Sequence, residues 1–192
     1  MKFSEREVKE IAISTVVLAF AFGGFDRFFE ALLVVGAGVL AHELLGHKLF
    51  AQRLGAAAEY RMWSFGLMLA ALLGVLRALT GGGFVFAAPG AVYFSSVVRG
   101  PFAFTVRRFT AKEVGEVALA GPAVNIALGA TFFGMSLFAF PDLFRFAASV
   151  SFFLAVFNLI PFPPLDGSKV VAWSLPIWLF SIIAAAFGYW LL

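Results

Sequence analysis

The sequence lacks cysteine and is poor in charged residues. None of its 192 residues is a cysteine, which excludes disulfide bonds and thiolate-bound metals and leaves the redox compartment open. Only 13% of the residues are charged, whereas soluble domains carry about 25%. Hydrophobic residues make up 62% of the chain and fall in long runs. The composition predicts an all-α polytopic membrane protein, and the small net charge of +3 gives no indication of a nucleic-acid partner.

About six hydrophobic segments are separated by short connections, and together they predict a single domain over residues 1–192. The segments run from about Val8 to Phe25, Phe28 to Phe50, Trp63 to Leu79, Val117 to Phe140, Phe144 to Ile160 and Val170 to Leu192. Between the third and fourth segments, residues 81–98 are rich in glycine, valine and aromatic residues, which favours a small β-hairpin or re-entrant element. Non-helical backbone at membrane depth is tolerated only where protein or a water-filled cavity covers it. This stretch is therefore expected to line something.

Basic residues flank the segments unevenly, and cytoplasmic loops carry the excess. Lys2, Arg6 and Lys9 precede the first segment, and Lys48, Arg53 and Arg61 lie at or after the end of the second. We expect a multi-pass protein of the cell membrane whose N-terminus is cytoplasmic. The same rule places residues 41–50 and 161–167 at the same cytoplasmic depth, with Arg145 on the outer side against the trend.

The stretch AHELLGHKLF holds the whole histidine supply of the chain, His42 and His47, on either side of Glu43. Ionisable groups inside an apolar segment are costly and usually functional. Zinc is commonly bound by imidazoles, a carboxylate and a water, and a neighbouring glutamate can then act as a general base. Asp166, in a proline-rich turn before Gly167, is the candidate third ligand. The competing interpretations are inter-helix hydrogen bonding for the histidines and a turn residue for Asp166.

Three separate stretches resemble the site-2 protease family of intramembrane zinc metalloproteases: HELLGH (42–47), AGPAVN (120–125) and NLIPFPPLDG (158–167). The family pattern has H-E-x-x-H on one helix, G-P-x-x-N on a later helix, and N-x-x-P followed by D-G. Order and spacing match over most of the chain. The resemblance implies a compact archaeal-type core without a PDZ-like or regulatory domain.

The resemblance implies that His42, His47 and Asp166 bind one zinc ion and that Glu43 activates the water. The implied reaction is hydrolysis of a peptide bond within or next to a transmembrane segment. The expected partners are a membrane-embedded protein substrate and the lipid bilayer, while the oligomeric state is left open.

The resemblance also assigns Asn125 and Asn158 to holding the substrate or the developing oxyanion. The competing interpretations are that Asn125 only forms a hydrogen bond between helices and that Gly121 allows close helix packing. An exposed strand within residues 83–94 is expected to bind an unwound substrate by strand addition.

The spacing of the two histidines departs from the family pattern by one residue. On an α-helix, position i+4 returns to within about 40° of position i, whereas i+5 lies about 140° away. One hypothesis is that a π-turn absorbs an extra leucine and realigns His42 with His47. A second is that Glu43 and His47 bind the metal with Asp166 in a regular helix. A third is that the metal site is lost, leaving an inactive pseudoprotease or a membrane metal-binding scaffold.

Overall fold

The computed structural model describes residues 3–99 and 104–192. Within these ranges the protein is mostly helical, with seven helices and a small antiparallel sheet. The helices are α1 Glu5–Gly23, α2 Phe28–Arg53, α3 Ser64–Thr80, α4 Ala111–Ser136, α5 Pro141–Asn158, α6 Asp166–Trp173 and α7 Leu175–Trp190. The packing of α4 against α5 and of α1 against α2 provides the largest contacts between elements.

Local sequence signals explain where several helices begin. The side chain of Thr110 accepts a hydrogen bond from the Glu113 amide, and Glu113 bonds back to the Thr110 amide, which forms a capping box at the start of α4. The last apolar run is divided into α6 and α7 at Ser174, whose backbone is extended. Pro176, which has no N–H to donate, lies in the first turn of α7, where none is needed.

Two helices of the described chain are long and apolar enough to cross a membrane, α2 and α4. Helices α3 and α7 are apolar but shorter. The expectation of a mostly helical protein is thus confirmed, and α2 and α4 are its candidate membrane spans. The count of six hydrophobic segments is not confirmed, since the last run is two helices and only two helices of the described chain combine the required length with the required apolarity.

A small sheet lies beside α2. Strand β1 (Ala57–Met62) pairs antiparallel with β2 (Gly90–Arg99), and β2 pairs with β3 (Phe104–Arg107). The expected element near 81–98 is therefore irregular up to residue 89 and a strand from Gly90 onward, and residues 100–103 lie outside the described part. Strand β1 was not predicted from the sequence, because its six residues place charged neighbours on both sides of the buried Tyr60.

The exterior is unusually apolar, and the mostly apolar interior also holds a set of polar side chains. Large apolar side chains such as Phe29, Leu33 and Trp190 are exposed on the helices. Buried positions, in contrast, include the polar residues Glu7, Glu10, Ser14, His42, Glu43, His47, Lys48, Asn125, Ser136, Ser151, Asp166 and Ser181. An apolar exterior suits a lipid environment, and buried charges that are paired or metal-bound are usually functional.

Candidate metal centre

Helix α2 contains a π-helical segment, Ala41–Lys48, between α-helical turns on both sides. A π-helix closes its hydrogen bonds between residues i and i+5, so His47 returns to the side of the helix that carries His42. The Nε2 atoms of the two rings lie 3.0 Å apart. This confirms the first hypothesis for the additional residue. The regular helix that pairs Glu43 with His47 does not form.

Asp166 completes a group of three ligand atoms. It is the first residue of α6, and its Oδ2 lies 3.0 Å from His47 Nε2 and 3.5 Å from His42 Nε2. All three side chains are buried. Zinc–nitrogen bonds of about 2.0–2.1 Å in a tetrahedral arrangement put neighbouring ligand atoms about 3.3 Å apart. The spacing and the donor set of two imidazoles and a carboxylate therefore fit one zinc ion.

The outer atoms of two ligands are held by neighbouring groups. His47 Nδ1–H donates to the carbonyl oxygen of Val117 on α4, at 2.7 Å. Lys169, one turn along α6, donates from Nζ to Asp166 Oδ1 at 3.0 Å. Hydrogen bonds of this kind fix the tautomer and direction of metal ligands. Here they leave His47 Nε2 and Asp166 Oδ2 directed at the same point.

The third candidate ligand, His42, is within hydrogen-bond distance of Asn125, whose side-chain amide lies 2.9 Å from His42 Nδ1. A histidine that binds metal through Nε2 is protonated on Nδ1, so it must donate to its partner. With Nδ2 placed toward the ring, Asn125 Oδ1 is buried and has no hydrogen-bond partner among the described residues. A half-turn of the amide, which exchanges O and N, places Oδ1 where it accepts from His42 Nδ1–H. The contact between Asn125 and His42 is therefore compatible with the tautomer that binds metal through Nε2.

Two glycines bring α2 and α4 close enough for these contacts. A Cβ on Gly46 would lie 2.6 Å from Gly121 Cα. A Cβ on Gly121 would lie against His47 Nε2 and 2.8 Å from His42 Nε2. Real Cβ atoms do not approach this closely, so both positions require glycine. The close-packing interpretation of Gly121 is confirmed, and what it packs against is the ligand pair itself.

A cavity of about 180 Å³ opens beside the ligands. Glu43 lines it, and the Oε2 of this buried carboxylate has no hydrogen-bond partner in the described ranges. Asn158 also lines it and donates from Nδ2 to Leu154 O at 2.9 Å. The remaining lining residues are His47, Trp63, Ala88, Gly90, Ala91, Tyr93, Pro164, Leu165 and Asp166. The start of β2 thus lines the same cavity as Glu43, His47 and Asp166.

Comparison with known proteins gives two matches. The model of a family described as "Peptidase family M50" matches residues 138–185, which include Asp166. The chain is also 36% identical over 186 residues to a protein of Methanocaldococcus jannaschii named "Putative zinc metalloprotease MJ0611", covering 92% of this chain and 89% of the relative. The chain belongs to peptidase family M50. No solved structure shows a significant match to it.

Membership of this family, the site-2 protease family, makes the M50 chain a zinc-dependent metalloprotease. The structure brings together four of the six site residues named from the sequence, His42, Glu43, His47 and Asp166, and the other two lie next to them. Asn125 lies within hydrogen-bond distance of His42, while Asn158 lines the cavity and donates a hydrogen bond to the Leu154 carbonyl oxygen.

Sequence reasoning missed several residues that shape the site of this M50 peptidase. They are Val117 and Lys169, which hold ligands, and Trp63 and Tyr93, which line the cavity. Val117 acts through its backbone, so its side chain carries no signal. Tyr93 did carry a sequence signal, because it lies in the glycine-rich stretch, residues 81–98, for which a lining role was expected.

Proposed function

We propose that this M50 peptidase hydrolyses a peptide bond within or next to a transmembrane segment of a membrane-embedded protein. One zinc ion would be held by His42, His47 and Asp166 in a single domain. The observation that carries the proposal is the convergence of the three ligand atoms in a buried site, with the unpartnered carboxylate of Glu43 in the same cavity. A structural zinc site would have four protein ligands and no open position, whereas catalytic sites have three.

Zinc bound here supplies a polarised water and a Lewis acid for the carbonyl group. The chain supplies the proton transfers: Glu43 accepts a proton from the attacking water and returns it to the leaving amine. Its carboxylate is suited to this role because it is buried beside the ligands and Oε2 has no competing hydrogen bond in the described structure.

The two asparagines have different proposed roles. Asn158 lines the cavity and can contact a substrate there. Asn125 is fully buried and its amide faces His42, which favours orientation of the ligand over contact with the oxyanion. The substrate role expected for both residues stays a prediction.

An extended substrate fits the cavity better than a helical one. Helical backbone uses its own N–H and C=O groups in internal hydrogen bonds, so a transmembrane helix must unwind before cleavage. Gly90, Ala91 and Tyr93 line the same cavity as His47 and Asp166, and strand backbone there offers a template for strand addition. We place strand addition at the start of β2, within the expected 83–94 stretch.

The proposed location is the cell membrane, with several passes and with the N-terminus and metal centre on the cytoplasmic side. Two apolar helices of sufficient length and an outer surface of exposed apolar side chains support a membrane location. The distribution of Lys and Arg along the sequence supports the orientation.

Replacement of Glu43 by Gln tests the proposal, measured as zinc content and as cleavage of a membrane-embedded substrate by the purified protein in detergent. We expect Glu43→Gln to keep about one zinc per chain and to lose cleavage by about 10²–10⁴-fold, the usual contribution of a general base. His47→Ala should lose both. Glu30→Gln is the matched control, since Glu30 lies on the same helix, is exposed and pairs only with Arg27 among the described contacts.

Two results would overturn the proposal. One is a purified wild-type protein without bound zinc. The other is undiminished cleavage by Glu43→Gln. Bound zinc without any cleavage would instead indicate a membrane metal-binding scaffold.

A further inference from the structure

A buried ion pair lies directly behind the metal centre. Lys48, the last residue of the π-helical segment and the neighbour of His47, donates from Nζ to both carboxylate oxygens of Glu7 on α1, at 2.7 and 2.6 Å. Both side chains are 1% exposed. The Lys48 ammonium also lies 4.1 Å from the centroid of the Phe3 ring. Both charges are thus almost completely shielded from solvent, and the ion pair offsets part of the cost of burying them.

The same carboxylate connects the π-turn to the sheet. Glu7 Oε1 accepts a hydrogen bond from the backbone amide of Tyr60 on β1, at 3.0 Å. β1 pairs with β2, whose first residues line the catalytic cavity. Glu7 therefore joins three elements around the site: α1, the π-turn of α2, and the sheet.

The pair is compatible with only one helical register. In a regular α-helix, His47 would lie about 140° around the axis from His42, and Lys48 about 240°. The π-turn takes up about 100° of that rotation. It brings His47 to the side of His42 and moves Lys48 to about 140°, which is where it meets Glu7.

The metal site and the ion pair thus select the same turn. In the regular register the residue directed at Glu7 would be His47 and not Lys48, and a buried carboxylate would lose its ammonium partner. Leaving one member of a buried ion pair unpaired is strongly unfavourable. The pair acts on the turn whether or not metal is bound, because neither of its members is a ligand.

We propose that Glu7 and Lys48 are positioning residues of the metal centre, whose ion pair holds residues 41–48 in the π-turn and so keeps His47 directed at the zinc position. This rests on the proposed zinc site. It differs from a purely structural link between α1 and α2, because the effect of the pair on zinc affinity should depend on the presence of the additional leucine.

Deleting Leu45 provides the test, since it restores i, i+4 spacing between the histidines. In the shortened helix, the lysine after the second histidine lies at i+5 and reaches about 140° without a π-turn. Leu45 is 56% exposed, so its removal sacrifices little packing. In the deletion variant no π-turn is needed to direct both histidines at the metal, so the ion pair no longer has a π-turn to stabilise.

The experiment measures the zinc dissociation constant of four full-length proteins in detergent: wild type, Glu7→Gln, the Leu45 deletion, and both changes together. We expect Glu7→Gln to weaken zinc binding about 10–100-fold in the wild-type spacing, as loss of supporting residues does at other metal sites. In the deletion background the same change should cost less than about threefold. An equal loss in both backgrounds, or no loss in wild type, overturns the proposal.

Glu10→Gln is the matched control. Glu10 lies one turn further along α1, is buried, and accepts a hydrogen bond from the Met62 amide of β1 at 2.8 Å. It therefore makes the same kind of link between α1 and the sheet without touching the π-turn. Its replacement should change zinc affinity by less than about threefold in both backgrounds. A loss as large as that of Glu7→Gln would also overturn the proposal.

A spectroscopic measurement covers the case in which the deletion variant fails to fold. The visible spectrum of bound Co²⁺ reports the number and type of ligands. Glu7→Gln should change it, whereas Glu10→Gln should leave it as in wild type. An unchanged spectrum for Glu7→Gln contradicts the proposal. Both measurements concern metal binding alone, so a protein that shows the expected coupling but cleaves nothing would disprove the protease function and leave this inference standing.

Discussion

At the scale of single residues, glycine at two helix positions makes the site possible. Gly46 and Gly121 allow the backbones of α2 and α4 to approach so closely that the rings of His42 and His47 lie against the surface of α4. Glycine in the middle of a helix costs about 1 kcal/mol relative to alanine. The protein accepts this cost at Gly121 because any side chain there would occupy the space of the ligand nitrogens.

Gly121→Ala is therefore expected to abolish the metal site while leaving the helix intact. The added Cβ would lie 2.8 Å from His42 Nε2 and still closer to His47 Nε2, so zinc affinity should fall at least about 100-fold. The measurement is zinc content after purification, with helicity by circular dichroism.

Gly134→Ala on the same helix is the control, because its Cβ would meet no described atom within 4 Å. It should keep zinc and stabilise the helix by up to about 1 kcal/mol. Full zinc occupancy in Gly121→Ala would contradict the assigned geometry.

At the scale of elements, the histidine spacing is one residue longer than in the family pattern, and the π-turn makes this spacing compatible with the family's metal site. Leu44 packs against a small core cluster of Ile11, Tyr60 and Val92, whereas Leu45 is largely exposed. The turn accommodates the additional residue within residues 41–48, and α-helix resumes at Leu49. The second half of α2 therefore needs no repacking.

Deletion of Leu45 alone should preserve the centre. The histidines would then lie about 40° apart on a regular helix, and zinc affinity should stay within about threefold of wild type. Deletion of Leu33 is the control, since it is an exposed leucine of the same helix outside the π-turn. Because α2 is a regular α-helix at Leu33, a deletion there cannot be absorbed by removing a π-turn. The first turns of α2 would therefore rotate by about 100° against α1. Thermal unfolding and zinc content measure both variants, and loss of zinc on deletion of Leu45 would show that the wide turn is itself required.

At the scale of the whole molecule, an exterior of exposed apolar side chains surrounds a core that contains the polar site. Basic residues in the sequence predict which end of the molecule is cytoplasmic. Lys112, at the start of α4, should lie on that side, and Asp142, at the start of α5, on the other. Both side chains are exposed, and the absence of native cysteine makes single-cysteine labelling unambiguous.

A membrane-impermeant maleimide applied to intact cells should label Asp142→Cys and not Lys112→Cys. Permeabilised cells should label both, which controls for access. The reverse pattern would invert the proposed orientation, and labelling of both in intact cells would show that α4 does not cross the membrane.

The sequence alone determined the chemistry of the site. The residue types, their order and the capping box at Thr110 are local, and they predicted the ligands, the base and the start of α4. The apolar composition predicted the helical, membrane-type class. Helical periodicity is also a local property, and by itself it left three interpretations of the histidine spacing open.

Only the tertiary structure decided among them. The choice between an α-turn and a π-turn depends on groups distant in the chain: Glu7, 41 residues before Lys48, Gly121, which leaves room for the rings, and Asp166, which meets both. For the same reason β1 and the carbonyl of Val117 escaped prediction, since their roles arise from partners across the fold. A one-residue difference in spacing preserves a metal site here because the surrounding structure stabilises the turn that absorbs it.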